Sequence, residues 1–253
     1  MLDDQQLERF SRQLLVGGFD VAGQERLLSA SVLVAGLGGL GSPVALYLAA
    51  AGVGRLVLAD GDRVDRSNLQ RQVAHGETDI GSNKADSAAA AVRALNSDCH
   101  CEVVDAYLTD ATLAGLMDGV DLVVDATDNY AARFLLNRAC IAARVPLVFA
   151  AAVRTEGQLA VFDPVRGGPC YRCLYPEEST SGLAACSDSG VLAPVVGVMG
   201  SLQAMEAVKI LSGCGEPLVG CLLMFDLLGM QVSRLKVPER ADCPDCAHLR
   251  QPG

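Results

Sequence analysis

The chain has 253 residues, 51% of them hydrophobic, with no tryptophan, enough to bury the core of one large α/β domain spanning residues 1–253. Its formal charge is −10, from 30 acidic against 20 basic side chains, which argues against a nucleic acid or an anionic membrane as the main partner because both demand a basic surface. Residues 1–9 carry no apolar core or cleavage site, so no secretory signal is expected and a cytoplasmic location follows.

Residues 4–16 are expected to form a helix, with Leu7, Phe10, Leu14 and Leu15 near helical spacing, and residues 22–29 a second one. Val32–Ala35 reads as a buried strand. It runs into the turn Gly36-Leu-Gly38-Gly39-Leu-Gly41 and a helix over Val44–Ala51, opened by Ser42 as cap and Pro43 at its first position. Gly36, Gly38 and Gly41 satisfy G-x-G-x-x-G, which lets a backbone approach phosphate at a helix N-terminus. The second strand, Arg55–Ala59, ends at Asp60, 19 residues after Gly41. A carboxylate there accepts from ribose hydroxyls; a solvated turn residue is the plainer reading. To this point a nicotinamide dehydrogenase fits as well as any other nucleotide enzyme.

The polar loop from Gly61 to Asn83 separates them. Ser67-Asn68-Leu69-Gln70-Arg71-Gln72 places a cation and several amides near Asp60, and Lys84 opens an Ala-rich helix running to about Leu95. An ammonium in a first turn faces the positive end of the helix dipole and costs ~0.3–1 kcal/mol unless an anion is near. A triphosphate is such an anion, and needs more cationic support than a dinucleotide's bridging phosphates. A surface lysine is the alternative.

Strands at Cys101–Val104, Leu122–Val124 and Leu147–Ala150 alternate with helices near 110–117 and 130–143. That alternation predicts a Rossmann-like, doubly wound, mainly parallel sheet. In Asp125-Ala-Thr127-Asp128-Asn129, Asp128 either holds a magnesium ion on phosphate oxygens or caps the helix beginning near Tyr130. Gln158–Phe162, Leu222–Leu227 and Val232–Val237 extend the sheet in antiparallel sense. Val191–Leu211 is the most apolar helix candidate, but Gln203, Glu206 and Lys209 interrupt it, so a span of about 20 uninterrupted apolar residues is not available.

Four of the ten cysteines form Cys170-x-x-Cys173 and Cys243-x-x-Cys246. Two such knuckles suit a closed, structural zinc site. With 69 residues between the pairs, it pins the C-terminal tail to the loop after the sixth strand. Disulfides or a redox dithiol are the competing readings. Cys99, Cys101, Cys140, Cys214 and Cys221 read as small apolar fillers.

In this order, the glycine turn, Asp60-Gly-Asp62, Ser67-Asn-Leu-Gln-Arg71-Gln, Lys84, Thr127-Asp128-Asn129 and the paired cysteines resemble the MoeB/ThiF adenylyltransferases, bacterial relatives of ubiquitin-activating enzymes. The resemblance runs from Glu8-Arg9-Phe10-Ser11-Arg12-Gln13 to Cys246 and includes Cys170-Tyr-Arg-Cys173-Leu and Gly197-Val-Met-Gly200-Ser-Leu-Gln-Ala-Met-Glu206-Ala. It implies ATP-dependent adenylation of the C-terminal glycine carboxylate of a small ubiquitin-fold sulfur carrier ending in Gly-Gly, with release of pyrophosphate. The molybdopterin-pathway carrier is favoured over the thiamine one because no sulfurtransferase domain follows Cys246, although that absence fits both.

The implied roles are residue-specific. Asp60 takes the ribose. Gly36, Gly38, Gly39, Gly41, Ser67, Leu69, Gln70 and Asn129 surround the nucleotide, with Gly39 bare because the nucleotide lies closest there. Asn68, Arg71 and Lys84 meet the phosphates, and Asp128 meets magnesium and the reacting phosphate. Arg12 reaches the ATP of the other subunit of a homodimer. At the position of Cys186 some members use a cysteine covalently; an incidental loop thiol is an equal reading. Residues 174–190 form a mobile crossover over the carrier's tail, with Gly182 and Gly190 permitting movement. Two rivals stay open: a nicotinamide oxidoreductase, which leaves Arg71, Lys84 and the paired cysteines unused, and a non-enzymatic zinc-stabilised adaptor for ubiquitin-like proteins, which tolerates loss of Lys84 and Asp128.

Overall fold

The computed structural model describes residues 1–177 and 190–250; Cys186, Gly182 and most of the expected crossover lie outside them. Helices α1 (Asp4–Leu14) and α2 (Asp20–Ser29) precede β1 (Ser31–Ala35). Then α3 (Gly41–Ala51), β2 (Arg55–Ala59), α4 (Lys84–Leu95), β3 (His100–Val104), α5 (Asp110–Leu116), β4 (Leu122–Asp125), α6 (Tyr130–Ala143) and β5 (Leu147–Val153) alternate as expected. The described elements close with β6 (Glu156–Phe162), α7 (Tyr171–Leu174), α8 (Ala193–Ser212), β7 (Cys221–Asp226) and β8 (Gln231–Lys236).

Among the described residues one sheet runs in the order β3-β2-β1-β4-β5-β6-β7-β8. It is parallel from β3 to β5 and antiparallel from β5 to β8. The apolar runs of β1, β2 and β4 show no polar alternation because helices cover both faces. Side chains of period two divide between the covers. Val32, Val34, Leu56 and Leu58 pack with α3, α4 and α8; Leu33, Ala35, Val57 and Val123 pack with α5 and α6. Strand order reverses between β1 and β4, and the crevice at the carboxyl ends of these strands is where such sheets take ligands.

Helix α8 is long and apolar enough to cross a membrane by length and composition, yet it packs against α2, α3 and strands β4 to β6. Its polar interruptions are held inside the fold, although the Gln203 Oε1 has no partner among the described residues. Gln203 Nε2 donates to the carbonyls of Asp125 (2.7 Å) and Val148 (3.3 Å). Glu206 accepts the Leu218 N–H at 2.9 Å and pairs with Lys209.

Two local expectations are corrected. The helix expected over 4–16 stops at Leu14, and of its apolar stripe only Phe10 is buried, Leu15 being 78% exposed. Ser42 is not the cap of α3. The helix begins two residues earlier than expected, at Gly41, with Leu40 in the cap position. The Ser42 N–H already donates to the Gly38 carbonyl at 2.9 Å, so the helical turn is under way before Ser42, and position 41 must be bare because a Cβ there would stand 1.8 Å from the Gly36 carbonyl oxygen. Ser42 instead lies inside the first turn and donates to the Leu37 carbonyl at 3.3 Å.

Candidate functional site

The site begins where β1 ends. Gly36 adopts φ +90° and donates its N–H to the Ala59 carbonyl at 2.9 Å, which turns the chain sharply into α3. Beyond this turn a crevice of about 1260 Å³ opens. Gly36, Gly38, Gly39 and Asp60 line it from the β1 and β2 ends; Asn68, Gln70, Arg71 and Lys84 line it from the loop and α4; Asp128 and Asn129 line it from the β4 end. Gly41, Ser67 and Leu69 lie outside the lining. Ser67 is turned toward Asp65, to which its N–H and hydroxyl both donate. Arg12 is exposed in the last turn of α1 and does not reach this crevice.

Asp60 is built into the turn. Its Oδ2 accepts the Leu37 N–H at 2.7 Å and its Oδ1 the Asp62 N–H at 2.8 Å. Burial pushes its pKa up, while these amides and the charge of Lys84 oppose the rise. A solvated turn carboxylate is therefore the wrong description. Asn83 caps α4 by accepting from the Ala85 and Asp86 N–H groups, and its own amide donates to the Asp60 carbonyl at 2.8 Å. The end of β2 and the start of the lysine-bearing helix are thus one unit.

Lys84 corrects the dipole reasoning. Its side chain is 9% exposed, and its Nζ lies 2.9 Å from Asp62 Oδ2. The anion beside this first turn is supplied by the chain itself. Against the upward push of burial, hydrogen bonds from Lys84 and Tyr107 hold the Asp62 carboxyl below the usual carboxylate range. Gly39 has a second neighbour besides the crevice: a Cβ there would meet the Val196 side chain of α8 at 3.0–3.2 Å, so helix packing also favours a bare position.

At the β4 end Asn129, not Asp128, caps α6, accepting the Ala132 N–H at 2.9 Å. The Asp128 carboxylate is exposed at the crevice, with a long 3.5 Å hydrogen bond from Asn129 Nδ2. Below it Asp125 is fully buried. Its Oδ1 accepts the Thr127 N–H (3.0 Å) and hydroxyl (2.7 Å). Burial raises its pKa, and nearby Arg133 opposes the rise.

Sequence reasoning missed several lining residues: Arg63, Gln72, Tyr107, Arg133 and Arg138. Arg133 is buried, stacks over Tyr130 and Phe149 at 5.5 and 5.3 Å, and donates to the Thr127 carbonyl at 3.1 Å. Gln72 stands beside Gly38 with its Oε1 buried and unpaired among the described residues. It closes the motif that carries Arg71, the one signal that could have found it.

A second cluster lies away from the crevice. The sulfurs of Cys170, Cys173, Cys243 and Cys246 are all buried and within 4.8 Å of one another. Separations across the two knuckles, 3.6 Å for Cys170–Cys243 and for Cys173–Cys246, are shorter than the 3.9 Å within Cys170–Cys173. A thiolate tetrahedron with metal–sulfur bonds of about 2.3 Å has edges of about 3.8 Å, whereas a disulfide needs about 2.05 Å. The arrangement is one four-sulfur cage able to hold a metal, not two dithiols. Asp245 braces it, accepting from Asn137 (2.8 Å) and Arg172 (2.9 Å), while Asn137 Oδ1 accepts the Tyr171 N–H at 2.8 Å.

The ThiF family pattern matches residues 10–246. The chain is 47% identical over 245 residues to the molybdopterin-synthase adenylyltransferase of Escherichia coli (strain K12), covering 97% of this chain and 98% of that one. It is 46% identical over 246 residues to the SAMP-activating enzyme E1 of Haloferax volcanii, covering 97% and 90%. E. coli MccB crystallised with ATP superposes with a TM-score of 0.79 over 97% of this chain and 82% of that one; at 22% identity this is a likeness of fold. With a family match over most of its length and near-full-length relatives, the chain belongs to the ThiF family.

Proposed function

We propose that this chain transfers AMP from ATP to the C-terminal glycine carboxylate of a small ubiquitin-fold sulfur carrier, the step that prepares the carrier for sulfur in molybdenum-cofactor biosynthesis. One observation carries the reading. A glycine turn, a ribose-side carboxylate, an amide, two cations and a free carboxylate converge on one crevice in a chain so similar to a molybdopterin-synthase adenylyltransferase. Residues 1–253 are read as one such domain.

The chemistry asks for little beyond placement. A carboxylate is already anionic at neutral pH, so its oxygen attacks the α-phosphorus without a general base. The α–β phosphoanhydride bond breaks, and pyrophosphate leaves with the bonding electrons. Catalysis then consists of alignment and charge neutralisation. Asp60 takes the ribose; Gly38, Gly39 and Gln70 border the nucleotide; Asn68, Arg71 and Lys84 meet the phosphates, Lys84 exchanging Asp62 for phosphate oxygens. Asp128 is exposed at the crevice and not engaged in capping, which suits it to hold magnesium. The ion would neutralise phosphate charge there. Zinc is the metal assigned to the cysteine cage, because four converging thiolates leave no open position and the role is structural. Cysteines used as metal ligands rather than as disulfides fit a reducing cytoplasm.

A homodimer in which Arg12 serves the other subunit's crevice is part of the same reading. It is supported by the exposure of Arg12 and by a shallow apolar hollow of about 470 Å³ formed by Pro43, Tyr47, Val73, Pro194, Val198 and Leu202. The test is pyrophosphate exchange into ATP by metal-loaded protein, with the molybdopterin and thiamine carriers in parallel. Exchange with the molybdopterin carrier, lost in Asp128→Ala while metal content is kept, is expected. No exchange with either carrier would overturn the reading.

A further inference from the structure

His75 lies in the loop that follows the Asn68–Arg71 stretch and is buried. Both ring nitrogens are engaged. Nε2 is 2.9 Å from the Leu37 carbonyl oxygen, and Nδ1 is 2.8 Å from Ser87 Oγ. A carbonyl oxygen can only accept, so Nε2 carries a proton; in the neutral ring Nδ1 then accepts from the Ser87 hydroxyl. Burial, with the nearby Lys84 charge, pushes the imidazole below its usual range against the opposing hydrogen bond to Leu37 and the charges of Asp79 and Asp60, so the neutral ring is favoured.

The partners of this ring are the parts of the crevice. Leu37 sits between Gly36 and Gly38. Its carbonyl is held by His75 and by Ser42, and its N–H is held by Asp60. The two peptide groups flanking Leu37 are therefore each held in place. The N–H groups of Gly38 and Gly39 that follow have no acceptor among the described residues. Ser87 is one helical turn along α4 from Lys84. The His75 N–H is bonded to the Gln72 carbonyl at 3.1 Å, which ties it to the segment carrying Arg71.

We infer that His75 is a positioning residue that locks the glycine turn, the Arg71 loop and the Lys84 helix into one nucleotide-binding geometry through an Nε2–H tautomer. This rests on the nucleotide reading of the crevice. The ring touches no reacting atom. It sets which way the Gly38 and Gly39 amides point and, through Ser87, holds the first turn of the lysine-bearing helix against them.

The test compares wild type, His75→Phe and His75→Gln, each checked for metal content and helical circular dichroism, in carrier-dependent pyrophosphate exchange with ATP varied. Loss of one buried hydrogen bond to the turn corresponds to about a tenfold rise in the KM for ATP in His75→Phe, with kcat changed less than about twofold. Gln, whose side-chain amide can donate to the Leu37 carbonyl, is expected to recover most of that rise. Long-range nitrogen–proton spectra of the wild-type imidazole should show the Nε2–H tautomer, and this readout needs no variant. An Nδ1–H tautomer, an unchanged KM in His75→Phe, or a Gln variant no better than Phe would each overturn the assignment. Wild-type protein that neither binds ATP by calorimetry nor supports exchange would instead overturn the nucleotide reading itself.

Discussion

Replacing Gly39 by alanine separates two reasons for a bare position in the turn. No left-handed backbone angle protects this glycine, but the added Cβ would lie 3.0, 3.1 and 3.2 Å from Val196 Cγ2, Cβ and Cγ1, against an optimal carbon–carbon separation of about 3.5–4.0 Å. Val196 is β-branched, stiff at χ1 and buried on α8, so it cannot swing away. Overpacking of this size costs about 1–3 kcal/mol. Val196→Ala alone costs about 2 kcal/mol, from two methyl groups at ~0.8 kcal/mol each plus a small cavity. In the double variant the alanine methyl occupies space that the valine vacates, so the summed losses should be undercut by about 1–2 kcal/mol. Denaturant unfolding of metal-loaded protein, compared at equal m-values, measures this coupling. Additivity within about 0.5 kcal/mol would refute the packing explanation. ATP titration of the rescued double variant then isolates whatever the nucleotide itself demands of the position.

Three further outcomes are expected. Asp62→Asn leaves the nearly buried Lys84 ammonium without its counter-charge. Because Asp62 is half exposed, the loss should be about 1 kcal/mol in a thermal melt, and ATP should raise the midpoint of this variant more than that of wild type; equal shifts would mean that phosphate does not replace the carboxylate. The lowered pKa of His75 gives the folded state less proton affinity at this site than the unfolded chain has. Its contribution is therefore complete above about pH 6.5 and declines as pH falls below that value. The stability difference between wild type and His75→Gln should shrink correspondingly under acid, and a difference that grows would contradict the sign. Asp245→Ala removes the acceptor shared by Arg172 and buried Asn137, at about 2–3 kcal/mol. Cobalt titration should then show weaker metal retention, with unaltered retention counting against Asp245 as the brace.

The parallel half of the sheet was legible because apolar runs without alternation, separated by helical segments, have few other solutions. Val32–Ala35, Arg55–Ala59 and Leu122–Val124 all fall within strands of the expected sense. The acid, the amide and both cations of the crevice were also legible, since strand ends and the loops after them converge at a switch point. What local rules misjudged was set by residues distant in the chain. Lys84 finds its anion in Asp62, 22 positions away, and Gly39 is cleared for Val196 on α8. Ser42 has the right chemistry for a cap, but its N–H is already bonded to the Gly38 carbonyl, within a helix that starts before it. Asp128 and Asn129 are both capping residues by type; only the α6 backbone decides that Asn129 takes the task. The four cysteines were readable as two pairs, while the approach of sulfurs across the pairs, as close as within one, which makes them one cage, exists only in three dimensions.

The most direct measurement follows the α-phosphate. Metal-loaded protein is incubated with α-labelled ATP, magnesium and a carrier ending in Gly-Gly, and the carrier is examined by intact mass and by label. The proposed reaction requires AMP joined to the carrier's C-terminal carboxylate in equal number with the pyrophosphate released, and no adduct on a carrier lacking its final glycine. Turnover of ATP that leaves the carrier unlabelled, or labelling that does not depend on its C-terminus, would contradict the proposed function.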